Sequence, residues 1–268
     1  MTALAVLAGS VGVASAAPTL TISQPVAGSS TNNPTPPFSG TTDDAVDSIV
    51  LKIHEGGSTG SVVQELSIPG PFVGTWQATP GSPLKDGAYT AVAEQTLVTE
   101  TGSSEVAFTV DTIAPTVTLN AQPALVNSGT VTFGGAAGTE PGDLESVTLK
   151  IYAGTTATGS PAQTIPVTPA SGTWTAQAGL ADGTYTAIAE QADKAGNTGF
   201  SSTTTFTINT ASPTVSLNSV ASPSNNTSPS FTGSASDTTT VTVKIYEGVA
   251  AEGTVVSTAT AAGGGGGW

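Results

Sequence analysis

The residues best suited to chemistry are oxygen donors in three short segments. Asp111 opens a Pro-containing linker, Asp111-Thr112-Ile113-Ala114-Pro115. Glu140 and Asp143 stand in one turn-rich loop, Asp193 and Asn197 in another. Carboxylates joined by amide and main-chain carbonyls are the ligands of Ca²⁺, a hard cation that takes about six to eight oxygens. Brought together by a fold, Asp111, Glu140, Asp143, Asp193 and Asn197 make a candidate calcium site. The competing reading of the same residues is an acidic, salt-screened cluster without metal.

No catalytic residue is expected. His54 is the only histidine, and two later segments of matching sequence carry Tyr152 and Tyr246 in its place. That exchange marks a surface packing position on the outward face of a strand. It also removes the base that a Ser/His/Asp arrangement requires. The acidic residues change between matching segments, from Asp43-Asp44-Ala45-Val46-Asp47 to Glu140-Pro141-Gly142-Asp143-Leu144-Glu145. Solvated loop charge therefore explains them better than a carboxylate pair across a glycosidase cleft. Gly263 to Gly267 lead into Trp268 and not into Lys-Ser/Thr, so they form no phosphate loop. The absence of cysteine excludes disulfides, thiolate metal sites and cysteine nucleophiles.

The charge balance narrows the partners. The chain has 19 Asp and Glu against 5 Lys and no Arg, a formal net charge of −14. Nucleic acid and anionic membranes both call for basic patches, so neither is expected as a partner. The acidity serves solubility first and cation binding second. Residues 3–16 are apolar and small, and Ala14-Ser15-Ala16 fits an export cleavage site, although the basic n-region is missing. An ordinary apolar terminus is the alternative. No later run is long and apolar enough to span a bilayer.

The elements that must position these groups come in repeats. Val50-Leu51-Lys52-Ile53-His54-Glu55-Gly56 returns as Thr148-Leu149-Lys150-Ile151-Tyr152-Ala153-Gly154 and as Thr242-Val243-Lys244-Ile245-Tyr246-Glu247-Gly248. Trp76, Trp174 and Trp268 each stand 24 residues after the lysine of their segment. Lys52 and Lys150 are 98 residues apart, Lys150 and Lys244 are 94. A unit of that size can bury its own core, unlike the short units of a solenoid. Beads on a string are expected: a signal segment at 1–16, domains at 17–111 and 112–209, and a truncated third at 210–268 that ends at its tryptophan.

Each repeat alternates as strands do. Ile49, Leu51 and Ile53 point one way while Val50, Lys52 and His54 point the other, the pattern of a strand buried on one face. In the first repeat seven strands are expected, at Thr19–Ile22, from Phe38, at Ile49–Glu55, Val62–Ile68, Val73–Ala78, Tyr89–Gln95 and Val106–Val110. Turn residues separate them and nothing has helical periodicity, so the class is all-β. Leu84-Lys85-Asp86-Gly87-Ala88-Tyr89 recurs as Leu180-Ala181-Asp182-Gly183-Thr184-Tyr185. A leucine, a Gly turn and a strand-opening tyrosine are the sequence form of a tyrosine corner. With a core tryptophan it marks an immunoglobulin-like sandwich, here without the disulfide. Trp76 and Trp174 are expected in the core, and the Tyr89 and Tyr185 hydroxyls on main chain near Leu84 and Leu180.

The joint pattern carries a family resemblance. Phe-Ser/Gly/Thr-Gly, Lys-Ile-Tyr-X-Gly, Gly-Thr-Trp, Leu-X-Asp-Gly-X-Tyr-Thr-Ala, Asp193-Lys194-Ala195-Gly196-Asn197-Thr198 and Asp/Asn-Thr-X-X-Pro-Thr-Val resemble the bacterial Ig-like repeats of large exported surface proteins. The second repeat matches most fully. The first departs at Thr99-Glu100-Thr101-Gly102-Ser103, and the third lacks the last strands. The resemblance implies tandem Ig-like β-sandwiches, two complete and one truncated. It implies a spacer or adhesive stalk outside the cell, not an enzyme, with an unidentified protein or glycan as surface ligand. In such a sandwich the loops holding Glu140–Glu145 and Asp193–Asn197 lie at the end where the linker enters, which brings the five candidate calcium ligands to one junction. The alternative function is an accessory carbohydrate-binding or spacer module of a secreted polysaccharide-degrading enzyme. Such a module needs a row of exposed aromatics, for which Tyr152 and Tyr246 are the outward candidates.

Overall fold

The structure is a computed structural model that describes residues 16–97, 100–263 and 266–268, with backbone only at 44–47 and 71–73. The segment read as an export signal, 1–16, lies outside the described residues except for Ala16. The chain divides into two compact units. One holds Thr130–Ile208 and the described residues up to Leu125, and so contains the first two repeats. The other holds Val126–Gly129 and Asn209–Trp268. The described residues form strands and no helix, hence no helix long and apolar enough to cross a membrane.

In the first repeat the strands are β1 (Ser30–Thr31), β2 (Phe38–Glu55), β3 (Val62–Ala78), β4 (Gly87–Leu97) and β5 (Glu100–Val110), in the sheet order β1-β5-β4-β2-β3. Two pairs of expected strands are continuous here. β2 pairs with β3 twice, Phe38–Thr42 against Gly74–Ala78 and Ile49–His54 against Val62–Ile68, with register slips between. Phe38, Gly40 and Thr42 are buried on even positions, Ile49, Leu51 and Ile53 on odd ones. The slip therefore turns the strand over, so that both of its halves face the core, as a bulge does.

The second repeat builds the same plan from separate strands: β6 (Leu125–Val126), β7 (Thr130–Ala136), β8 (Asp143–Ala153), β9 (Gln163–Val167), β10 (Thr173–Gly179), β11 (Gly183–Asp193), β12 (Thr198–Phe200) and β13 (Thr204–Ile208). β7 and β10 make one layer. The other has the order β6-β13-β11-β8-β9, with β12 beside β11. Val147, Leu149 and Ile151 are fully buried, like Ile49, Leu51 and Ile53.

The two cores repeat one another. Phe38 meets Phe108 edge-on at 5.5 Å, and Tyr89 stacks on Phe108 at 5.7 Å. Phe133 and Tyr185 take the same positions around Phe206, at 5.6 and 6.1 Å. Trp76 and Trp174 are buried, as expected. Their indole N–H groups donate to the carbonyls of Thr21 (3.2 Å) and Thr118 (3.1 Å), which removes the cost of an unpaired buried donor. Gly40 and Gly135 face these tryptophans across the ladder. On the outer surface Lys52 pairs with Glu94 at 2.7 Å and Lys150 with Glu190 at 2.6 Å.

In the third repeat β14 (Val215–Leu217) pairs with β15 (Gly233–Ala235), and β16 (Val241–Tyr246) with β17 (Val255–Ala261). Gly233 and Trp268 exchange main-chain hydrogen bonds at 3.1 and 3.0 Å, the counterpart of Gly40 with Trp76. Trp268 is only half-buried, and Val241, Val243 and Ile245 are half-buried where their counterparts are fully enclosed.

Three expectations about single residues are corrected. His54 is buried, not on the surface, and its Nδ1 lies 2.9 Å from the Gly60 carbonyl in the turn after β2. Tyr152 is buried as well. Strand β2 is followed by a turn that folds back over its end, and that turn covers the outward side chain there. The Tyr89 hydroxyl donates to the Lys85 carbonyl at 2.8 Å, forming the expected corner. Tyr185 keeps the ring packing, but no hydrogen bond from its hydroxyl is found among the described residues.

Candidate functional site: the junction of the first two repeats

The linker after β5 is fastened at both ends by side chains from turns. Asp86, of the Asp-Gly corner, accepts from the main-chain N–H of Thr112 at 3.0 Å and from its hydroxyl at 2.9 Å. Asp111 donates its own N–H to the Thr31 carbonyl at 3.0 Å, and its Oδ1 accepts from Ile113 N–H at 3.1 Å. The first residues of the linker are therefore a continuation of the first repeat's edge, set by two aspartates.

The second repeat reaches this linker through its Asp-Lys-Ala-Gly-Asn loop. Asp193 is 4 % exposed at the end of β11. Its Oδ1 accepts from the N–H groups of Gly196 (2.8 Å) and Asn197 (2.9 Å), which closes the loop into a tight turn. Its Oδ2 accepts from Asn197 Nδ2 at 2.7 Å, fixing the amide's direction. The same Nδ2 donates to the Asp111 carbonyl at 2.8 Å and lies 3.4 Å from that of Ile113. A buried carboxylate thus holds an asparagine that grips the linker. Ala195 completes the contact by accepting from the N–H of Asn32 at 3.1 Å, in the loop after β1. The Gly at position 196, with φ +96°, adopts a conformation that a side chain strains.

A second clamp orders the loop before β8. Gln191 is 2 % exposed; its Oε1 accepts from Gly138 N–H at 2.8 Å, and its Nε2 donates to the carbonyls of Leu144 at 2.9 Å and Gly138 at 3.1 Å. Asp143 Oδ2 accepts from Glu140 N–H at 3.1 Å within that loop. A side chain at Gly142 would meet Asp111 Oδ2, at 3.6 Å from its Cβ, so this loop lies beside the linker carboxylate.

All three segments that carry the candidate calcium ligands therefore meet at this junction. Asp193 and Asn197 are in direct contact, and Asn197 holds Asp111 through main chain. Asp143 bonds within its own loop, and Glu140 is exposed. Among the described residues no group of three or more His, Asp or Glu side chains is placed to hold a metal ion. Sequence reasoning missed the two amide clamps, Asn197 and Gln191. Their signal was present in the Asp-X-Ala-Gly-Asn string and in the glutamine that follows each Tyr-Thr-Ala-X-Ala-Glu string.

The family model described as bacterial Ig-like domain matches twice in tandem, over residues 24–112 and 118–210. No curated protein matches the chain. Among solved structures, the fibronectin(III)-like modules of Clostridium thermocellum CbhA are 16 % identical, with a TM-score of 0.43 over 71 % of this chain and 94 % of theirs. A tetra-tandem repeat from the extending region of a large adhesion protein is 20 % identical, with a TM-score of 0.33 over 94 % of this chain and 65 % of that one. The I67–I69 fragment of the titin I-band is 14 % identical, with a TM-score of 0.41 over 73 % of this chain and 66 % of that one. By the two tandem matches, the chain belongs to the bacterial Ig-like domain family.

Proposed function

We propose that the chain is a spacer: a stalk segment of an exported bacterial surface protein that holds a binding function away from the cell, in adhesion. The observation that carries this reading is the bonded junction. Asn197, oriented by Asp193, ties the second repeat to the linker carbonyl of Asp111, so the two repeats share a fixed connection. Fixing one repeat on the next suits transmission of reach and force, and it makes no use of a cleft. In this reading the unit boundaries stay at 17–111, 112–209 and 210–268, and the apolar segment 1–16 directs export.

Calcium enters as a further stiffener of the same junction. An ion there would draw Asp111, Asp143 and Asp193 away from the main-chain N–H groups they now accept from. The accessory carbohydrate-binding reading requires a platform of exposed rings. Tyr152 is buried, Tyr246 is half-buried, and Phe200 is the one aromatic among the exposed large hydrophobic residues described.

Replacement tests the spacer reading. In the parent surface protein, the chain is exchanged for an unrelated rigid two-domain spacer of equal length. Adhesion that survives the exchange supports a spacer; adhesion lost despite normal display places the binding function in this chain instead.

A further inference from the structure

The first two repeats each take up tension through their first and last strands, and in both these lie side by side. In the first repeat β1 runs parallel to β5. Thr109 N–H donates to the Ser29 carbonyl at 2.9 Å, and Asp111 N–H to that of Thr31 at 3.0 Å. In the second, Thr207 N–H donates to the Ala124 carbonyl and Asn209 N–H to that of Val126, both at 2.9 Å. Donor and acceptor numbers rise together, so β6 and β13 are parallel too. The start of one strand and the end of its parallel neighbour lie at opposite ends of the repeat. Pulling the chain lengthwise therefore slides the two strands past each other and loads their bonds together, in shear. Peeling a strand sideways loads the bonds one at a time.

The two repeats differ along this load path. In the first, Gly28 N–H adds a bond to the Ala107 carbonyl at 2.8 Å. The matching residue, before Ala124, is Pro123, which has no N–H to donate. The second repeat has instead a bond from Gln122 N–H to the Thr204 hydroxyl at 3.0 Å, on a side chain and not on the strand itself. The last strand is also held less evenly there. β5 pairs with β4 without a slip, from Val110 opposite Gly87 to Glu100 opposite Leu97. Its counterpart is split: β11 pairs with β13 over 183–187 and with β12 over 190–192, and Ser201 bonds to Ala189 between them. In the other layer, the first strand of the first repeat makes the Thr21–Thr41 and Ser23–Ser39 bonds and accepts one more, from Ser39 N–H to the Gln24 carbonyl at 3.1 Å. The second repeat makes the Thr118–Ala136 and Asn120–Gly134 bonds.

We propose that the second repeat is the yielding element of the chain under tension: it opens before the first and releases roughly 300 Å of polypeptide between Thr118 and Asn209. The unfolding barrier sets the rate of forced opening, and the bonds that raise it are those on the load path. The first repeat then keeps its fold while the released length lowers the tension. The inference deepens the spacer reading and takes from it only the direction of load.

Single-molecule stretching of the intact chain by its ends tests the proposal. A roughly ten-residue Gly/Ser insertion between Gly159 and Ser160, in an exposed turn of the second repeat, lengthens that repeat's extension step by about 35 Å and so identifies it. The lengthened step should come first, at the lower force. A second attachment separates load path from overall stability. β2 is antiparallel to β4, and β4 to β5, so the turn at Ser58 lies at the same end of the first repeat as the end of β5. Pulling between a Ser58→Cys handle and the C-terminal end peels the first repeat, which should then open before the second. A lengthened step that comes last or in random order under end-to-end pulling would overturn the proposal. So would an order that stays the same with the handle at position 58. Adhesion lost on exchange of the whole chain bears on the spacer reading alone.

Discussion

Gly40 and Trp76 face each other across β2 and β3 with no room between them for a single methyl group. A Cβ built on Gly40 would lie 2.8 Å from Cε2 of the indole and overlap the Thr21 carbonyl. Gly135 stands in the same relation to Trp174, and Gly233 to Trp268. The glycine lets the indole lie against the strand, and in the first two repeats the carbonyl that crowds the glycine is the one that accepts the indole N–H. This explains why a glycine two residues after the phenylalanine accompanies each tryptophan.

Substitutions at this pair should therefore be costly. Trp76→Ala or Trp174→Ala is expected to lower stability by about 3–5 kcal/mol, the range for a buried large aromatic. Gly40→Ala or Gly135→Ala should cost about 1–3 kcal/mol through overpacking, with backbone as the clashing group. Urea denaturation of each variant checks both values.

The two tyrosine corners should respond differently. Tyr89→Phe removes the bond to Lys85 and should cost about 0.5–1.5 kcal/mol. Tyr185→Phe keeps the stacking on Phe206 and should change the melting temperature little. Equal losses in the two variants would show that the corners are equivalent in solution.

Alkaline pH should weaken the fold through identified groups. The hydrogen bonds of Lys52 to Glu94 and of Lys150 to Glu190 raise both lysines above their ordinary range. A raised folded-state value gives a contribution that is complete below the unfolded lysine value and is lost as pH rises through the folded one. Burial raises Tyr89 in the same direction, with the nearby Glu55 charge adding to it. At the acid end, the Thr19 N–H bond holds Asp43 below its usual value, and that contribution is lost as pH falls through the lowered value. Glu94→Gln with Glu190→Gln should flatten the lysine part of the alkaline slope in pH-dependent melts.

Calcium at the junction has to compete with main-chain N–H groups for the same oxygens. The expected outcome is saturable stabilisation with a Kd of about 10⁻⁴–10⁻³ M, the range of extracellular modules, reversed by chelator. Asp193→Asn should abolish it. Superimposable melts with Ca²⁺ and with chelator would leave these carboxylates to their main-chain donors.

The class of fold was legible because burial imposes period two on Ile49-Leu51-Ile53 and its counterparts, and because the tryptophan keeps a fixed register with the lysine. The fusion of expected strands into β2 and β3 was not, since a register slip leaves no mark on composition. His54 was misplaced because alternation assigns a face and says nothing of a turn folding over it. At the junction the sequence put the right segments together, but it showed which residues carry oxygen and not which N–H groups claim those oxygens first. Asn197 therefore read as a ligand, whereas its amide nitrogen serves as the linker's clamp.

The central claim is that Asn197 fixes the second repeat on the first. Because the chain has no cysteine, Ser58→Cys and Ser160→Cys place one spin label on each repeat without background. Pulsed electron–electron resonance should give a narrow distance distribution for the otherwise native chain and a clearly broader one with Asn197→Ala, while both melt as folded proteins. Equal widths, narrow or broad, would contradict the account.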